Sequence, residues 1–463
     1  MTAAHAQPQS QSQPQPQALP PAIATALARA GIPREAVSML VTDAEGQRTP
    51  RLAWRTQVPM NPASVTKLVS TVAALDLLGP AYTWRTPVYL GGTVHDGVLE
   101  GNLYLQGRGD PALVTERLWL LLRRVQALGV RSIHGDIVLD RSAFDPVTTH
   151  PAAFDGKPLE PYNAQPDALL VNFKSAVLTF TPAPDGRSAQ VGMEPPLAGV
   201  VLQPSVPLAP NGNCDGWRGK LRAQFRSARI SFAGSYPAGC PEGIWPVAYP
   251  DPRGFAARAI SGLWAQMGGQ LQGQVRDGSV PAGLTPAFEF ASPSLAEVIH
   301  DMNKFSNNVM AEQLFLTLGL ERGHRGNAET ARTVLHDWWA SRIDNTGSTP
   351  VLDNGSGLSL NTRISAMQLG RLLQTAWRGQ TMPELVASLP LAGVDGTMRK
   401  HPAPTGAHLK TGSLLDSGVT ALAGYVDGLS GHRYVLVAIV NHPQAAAARP
   451  VFDALVDWVA QDQ

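Results

Sequence analysis

Two cysteines are all that this 463-residue chain contains, and no Cys pair at ligand spacing, HExxH segment or histidine cluster accompanies them. That leaves no basis for a zinc centre, which needs such spacings to gather its ligands. Long hydrophobic runs are missing too. A membrane helix needs roughly 20 consecutive apolar residues, whereas the best stretch here, "YVLVAIV" at 434–440, has the length and β-branched content of a buried strand. Charge is sparse and balanced: charged residues make up 16% of the chain, with 37 Lys and Arg against 36 Asp and Glu. A formal charge of +1 supplies no basic field for a phosphate backbone, which argues against nucleic acid as a partner. Nor does any Gly-x-Ser-x-Gly pentapeptide occur, which removes the nucleophile elbow of an α/β-hydrolase.

What is present is the composition of a large globular protein: 44% hydrophobic residues, 44 Gly and 39 Pro. Domains usually run to between roughly 50 and 250 residues, so two or more are expected. The start of the chain is different. "QPQSQSQPQPQ" cannot build a core, and residues 1–19 read as a disordered tether. Ala4-His5-Ala6 just ahead of it resembles the small-residue end of a secretory signal, which implies export. Cys214 and Cys240 lie in "NGNCDGW" and "PAGCPEG". In an oxidising compartment they would pair and close a loop; otherwise they are two separate thiols.

After the tether, "PAIATALARAG" predicts a helix, and "AVSMLVTD" and "RLAWR" predict strands. In "ASVTKL", residues 63–68, Val65, Leu68, Val69 and Val72 form the apolar stripe of a helix stopped by Gly79-Pro80. Ser64 and Lys67 then lie on one face, with Ser64 in the first turn. From about residue 90 to about 286 the texture is short strands and turns. Helical periodicity returns with "SLAEVIHDMNK", "NVMAEQLFLTLG", "AETARTVLHDWWASRI" and "AMQLGRLLQTAW". Three strands, "AHLKTG", "VTALAGYV" and "YVLVAIV", and the helix "ARPVFDALVDWVA" complete the chain. Strands and helices from both ends can form one antiparallel sheet flanked by helices, with the middle as an insertion.

A nucleophilic serine needs a base within hydrogen-bond reach, and a lysine one helical turn away meets that need if burial or a neighbouring positive charge keeps it partly neutral. Ser-x-x-Lys also arises by chance on wet helix faces. Two further stretches change the weight of that pair: "FSNNVMAEQL" presents Ser306 and Asn308 ahead of a helix, and "HLKTGSL" presents Lys410, Thr411, Gly412 and Ser413 on a strand. Separately, Ser306 could cap its helix, Lys410 could face water and Gly412 could relieve crowding. In this order, the three make up the motif set of penicillin-binding proteins and serine β-lactamases.

The chain is similar to the class C low-molecular-mass penicillin-binding proteins, the D-alanyl-D-alanine carboxypeptidase/endopeptidase family. That family places a long insertion between its first two motifs, and Ser64 and Ser306 lie 242 positions apart. "GRGDPAL" at 107–113, "DNGSGLS" at 353–359 and "LPLAGVDGTM" at 389–398 fit as well, and the similarity runs from about residue 22 to the C-terminus. "KTGSLLDSGVTALAGYV" is about two residues longer after the third motif than the family's usual turn.

The resemblance implies an α/β, transpeptidase-like domain with a five-stranded antiparallel sheet, formed by residues 20–89 and 287–463. A mostly β insertion covers 90–286, with a small subdomain at about 175–245. It implies that Ser64 attacks the penultimate D-alanine carbonyl of a peptidoglycan stem peptide while Lys67 takes its proton. Ser306 would relay a proton to the leaving amine beside Lys410, and Asn308 would bond the substrate amide. The backbone N–H groups of Ser64 and Ser413 would form the oxyanion hole, and Thr411 and Lys410 would receive the terminal carboxylate. No metal or organic cofactor is required, β-lactams would acylate Ser64, and the periplasm or cell envelope is the implied location.

Three other readings compete. A β-lactamase of class A would want a Glu-x-x-Leu-Asn segment after the second motif, and none occurs. A non-catalytic peptidoglycan-binding protein need not keep every catalytic residue type, yet all are present. "LYLQGRGDPAL" places Gly107-x-Gly109-x-x-Ala112 after a strand, a dinucleotide-binding pattern. Asp110 and Pro111 as an N-cap and first helical position account for it more simply, and repeated βαβ units are absent.

Overall fold

The computed structural model describes residues 18–210, 212–401 and 406–462. The tether expected at 1–19 lies outside them except for its last two residues, and Leu19 is buried in the core rather than loose. The organising element is a wholly antiparallel five-stranded sheet in the order Ala407–Leu414, Val419–Asp427, Arg433–Asn441, Val37–Asp43, Leu52–Trp54. Two N-terminal strands thus join three C-terminal ones, as the sequence predicts.

Along the central strand, Val435, Val437 and Ile439 enter one core, while Leu436, Ala438 and Val440 enter another. Both faces are covered, so the strand reads as an unbroken apolar run and not as an alternation. Helices Pro21–Arg29 and Arg449–Ala460, from opposite ends of the chain, cover one face. Helices Lys67–Leu77, Leu295–Lys304, Asn308–Gly323, Ala328–Arg342 and Ala366–Trp377 pack over the other. Helix Asn308–Gly323 buries Met310, Ala311, Leu314, Phe315, Leu316 and Leu318 there. At about 1.5–3 kcal/mol for each large apolar side chain removed from water, packing fixes its position.

Strand Thr83–His95 starts in the same core at Trp84 and reaches a second core at Val88. The texture change read at about residue 90 therefore falls inside a continuous strand, and the core changes between 84 and 88. Strand Phe288–Ser294 returns antiparallel to it. Trp84 donates its indole N–H to Thr317 Oγ1 at 2.9 Å and its backbone N–H to Ser292 Oγ at 2.9 Å. The second core lies under a seven-stranded sheet with helices Thr115–Ala127 and Phe255–Gln266. A third core lies among a five-stranded and a three-stranded sheet drawn from 175–248. Cys214 and Cys240 are disulfide-bonded, with Cα atoms 5.5 Å apart.

The "GRGDPAL" segment differs from its sequence reading. The helix begins at Thr115, and Asp110 Oδ1 accepts from the Ala112 N–H at 2.8 Å, so Asp110 and Pro111 form a side-chain-closed turn ahead of the helix. A Cβ on Gly107 would lie 2.4 Å from the Ala168 backbone, and one on Gly109 2.4 Å from the Phe144 ring. These glycines serve close packing. Among the described residues no helix is long and apolar enough to cross a membrane.

The insertion is fastened to helix Asn308–Gly323 through Gln313, which is fully buried. Its Oε1 accepts from the Asp167 N–H at 2.8 Å and its Nε2 donates to the Asp167 carbonyl at 2.9 Å. Gln313→Leu keeps the volume but strands both backbone groups. A loss of about 2–4 kcal/mol in unfolding free energy is expected, measured by denaturant titration.

Candidate active site

Ser64 sits in a 3-10 turn, Ala63–Thr66, and the α-helix proper begins at Lys67. This corrects the expectation that Ser64 occupies the first α-helical turn. The approach to it is pinned. Buried Asn61 accepts from the Ala63 N–H at 2.9 Å and donates to the Ser359 carbonyl at 2.8 Å. Its backbone N–H and C=O both bond the Asn441 side chain at 2.9 Å. Ala63 is held at φ 47°, a left-handed conformation that a non-glycine residue keeps only when its surroundings over-determine it.

Lys67 is completely buried. Its Nζ lies 2.9 Å from Ser64 Oγ, 2.7 Å from Asn308 Oδ1 and 2.6 Å from the Ser356 carbonyl. Two of these partners are carbonyl oxygens, which only accept. A neutral amine therefore spends both N–H bonds on Asn308 and Ser356, and its lone pair is left to face the Ser64 hydroxyl. The same arrangement favours neutrality: burial holds Lys67 well below the usual lysine range, the Lys410 charge adds to this, and Glu312 opposes it. Ser356 is held by a self-bonded turn. Asn354 Oδ1 accepts from the N–H groups of Ser356 at 3.1 Å and Gly357 at 3.2 Å, and its Nδ2 donates to the Leu358 carbonyl at 3.0 Å.

On the opposite side, Lys410 Nζ donates to Ser306 Oγ at 2.8 Å and to the Thr411 carbonyl at 2.8 Å. Burial pushes Lys410 down to about 7. Ser306 has φ 57° and does not cap its helix. Asn307 does, accepting from the Met310 N–H at 3.1 Å, so the Ser306 hydroxyl is turned to the pocket. Lys410 presents no surface. Beyond Lys410 on that strand, Thr411 is half-buried and Ser413 exposed. Asn308 is committed at both ends as well, since its Nδ2 donates to the Tyr162 carbonyl at 3.1 Å.

Glycines let the segments meet. A Cβ on Gly412 would lie 2.4 Å from the Pro62 carbonyl oxygen and 3.1 Å from Ser64 N; one on Gly357, at φ 81°, would lie 2.0 Å from the Ala63 oxygen. The edge strand and the 353–359 turn thus close on the Ser64 turn from two sides. The longer connection after "KTGS" is a 3-10 turn, Leu415–Ser417, where Asp416 pairs with Lys157 of the insertion at 2.8 Å. Both partners are more than half exposed, so the pair contributes little stability.

Ser64, Lys67 and Asn308 are bonded into one cluster and Ser306 and Lys410 into a second, and Gly412, between Thr411 and Ser413 on the Lys410 strand, brings the second against the Ser64 turn. Sequence reasoning missed Ser356, whose acceptor is a backbone atom, and Glu312, which takes a hydrogen bond from Ser356 Oγ at 2.9 Å. Glu312 had a readable signal, because it stands four residues beyond Asn308 on the same helix face. Thr397, which accepts from Thr411 Oγ1 at 2.7 Å, lay unused in "LPLAGVDGTM".

Fold and pocket together define a serine hydrolase on a transpeptidase-like scaffold. A family model described as the D-Ala-D-Ala carboxypeptidase 3 (S13) family matches residues 19–462, and the chain belongs to that family. The D-alanyl-D-alanine carboxypeptidase of Actinomadura sp. (strain R39) is 30% identical over 406 residues, covering 84% of this chain and 74% of that one. The D-alanyl-D-alanine carboxypeptidase DacB of Haemophilus influenzae is 24% identical over 400 residues, covering 82% and 80%. The crystal structure of penicillin binding protein 4 (dacB) from Haemophilus influenzae superposes with a TM-score of 0.72 at 21% identity, covering 94% of this chain and 99% of that one.

A lysine held near 7 binds its proton more weakly in the folded chain than in the unfolded one, where lysine titrates near 10.5. The unfolded state then carries more protons between these values, and stability rises with pH across that window. Lys410→Met should therefore melt higher than the parent at neutral pH, with the gain shrinking toward pH ~10. Thermal unfolding at the two pH values reads this.

Proposed function

We propose that Ser64 is the nucleophile with which this D-Ala-D-Ala carboxypeptidase forms an acyl-enzyme on peptidoglycan stem peptides. The observation that carries the reading is the Lys67 amine, whose two carbonyl partners leave its lone pair to Ser64 Oγ. Ser64 Oγ attacks the carbonyl of the penultimate D-alanine, and its proton passes to Lys67 Nζ. The Ser306 hydroxyl, bonded to Lys410, delivers a proton to the departing D-alanine amine, and water later clears the acyl group. The N–H groups of Ser64 and Ser413 flank Gly412 and face the developing oxyanion; losing one such donor typically costs about 2.7–4 kcal/mol in serine hydrolases. Thr411 and Ser413 hydroxyls meet the terminal carboxylate over the Lys410 charge. Asn308 trades one of its present bonds for the substrate amide.

In this reading residues 20–89 and 287–463 are the catalytic unit and 90–286 the insertion, joined through strands Thr83–His95 and Phe288–Ser294. A substrate in the cell wall supports a location outside the cytoplasm, in the periplasm or cell envelope. A Cys214–Cys240 disulfide suits such an oxidising compartment. β-Lactams, which present a strained amide in place of the D-Ala-D-Ala bond, acylate the same serine.

Incubation with penicillin followed by peptide mass spectrometry tests the assignment. A stoichiometric adduct on the Ser64 peptide is expected, and Ser64→Ala should carry none. A stoichiometric adduct on another residue would remove Ser64 from the role.

A further inference from the structure

Glu312 lies one helical turn beyond Asn308. The Ser356 hydroxyl donates to Glu312 Oε1 at 2.9 Å, and the carbonyl of the same Ser356 accepts from Lys67 Nζ at 2.6 Å. Asn308 and Glu312 thus bear on both carbonyl oxygens around the amine: Asn308 supplies one, and Glu312, together with Asn354, whose Oδ1 lies 3.0 Å from the same hydroxyl, holds the residue that supplies the other. Burial pushes the Glu312 carboxyl up to about 7, against the Ser356 hydroxyl and Lys67, which favour its charged form, while Asp353 works with burial.

The carboxyl also lines a cavity of about 660 Å³ between the insertion loop 145–165 and the segment 353–361. Asp145, His150, Tyr162, Arg332 and Asp353 line the same space. Arg332 is 3.6 Å from Asp353, and Lys410, beyond Lys67, is bonded to Ser306. Lys67 is the cation joined to Glu312 through a shared partner.

The geometry points to Glu312 as a positioning residue: it holds Ser356 against Lys67 and is the counter-charge for the ammonium that Lys67 becomes. The step is a proton transfer. The Ser64 O–H bond breaks, a third N–H forms on Lys67, and the new positive charge arises beside the carboxylate as Ser64 Oγ bonds the acyl carbon. This inference rests on the Ser64 and Lys67 roles proposed above.

Glu312→Gln is isosteric and still accepts from Ser356, so the fold tolerates the change. Without the counter-charge Lys67 holds its proton less tightly. The ascending limb of the penicillin acylation rate against pH should then move to lower pH by about one unit. Glu312→Asp, which restores the charge, should return the limb to its parental position. The rate is followed as Ser64 adduct by mass spectrometry across acidic to alkaline buffers. A Glu312→Gln profile that overlies the parental one, or that falls by one factor at every pH without moving, would overturn the inference. Absence of a Ser64 adduct in the parent would instead overturn the assignment it rests on, so the two failures are distinguishable.

Discussion

A single amine sealed away from water sets the terms for everything around it. An ammonium in the interior costs several kcal/mol even after the protein relaxes, so Lys67 is tenable only because it can be neutral and because each of its polar contacts is answered. Those answers come from three places in the chain: its own 3-10 turn, the helix that starts at Asn308, and the turn that carries Ser356. The fold is therefore organised to bring these three together within a few ångströms. Lys410 repeats the device on the far side of the pocket, buried and bonded to Ser306. Burial lowers the hold of both amines on a proton, and the Lys410 charge lowers that of Lys67 further.

Such convergence demands close backbone approach. The sheet edge Ala407–Leu414 can reach the Ser64 turn only where a side chain is missing, at Gly412, and the 353–359 turn only at Gly357. Strain appears at the two serines bonded to lysine, with Ala63, just before Ser64, and Ser306 both left-handed. In each case side-chain bonds hold the unfavourable backbone: Asn61 on one side, the Asn307 cap on the other.

Much of this was legible in the sequence. The 3.6-residue stripes gave helices Leu295–Lys304 and Ala366–Trp377, each of which the structure opens with a capping box. The "YVLVAIV" run gave the central strand. The polar clusters were legible where their members are side chains, as for Ser64 bonded to Lys67 and Ser306 bonded to Lys410. They were not legible where a backbone carbonyl does the work, as at Ser356, because any residue carries one. Burial was also hidden: nothing in "HLKTGSL" says that Lys410 has no exposed surface. The extent of a helix eluded periodicity too, since a 3-10 turn and an α-helical turn place Ser64 and Lys67 on the same side.

The Tyr162 carbonyl, bonded to Asn308 Nδ2 at 3.1 Å, belongs to the inserted stretch and yet reaches the amide that steadies Lys67. The added segment is thus part of the reaction centre's wall rather than an ornament hung on a self-sufficient catalyst. Evolutionary drift in that segment is coupled, through one amide group, to the surroundings of a buried amine in another unit, and excising it would remove a partner of the side chain that bonds Lys67.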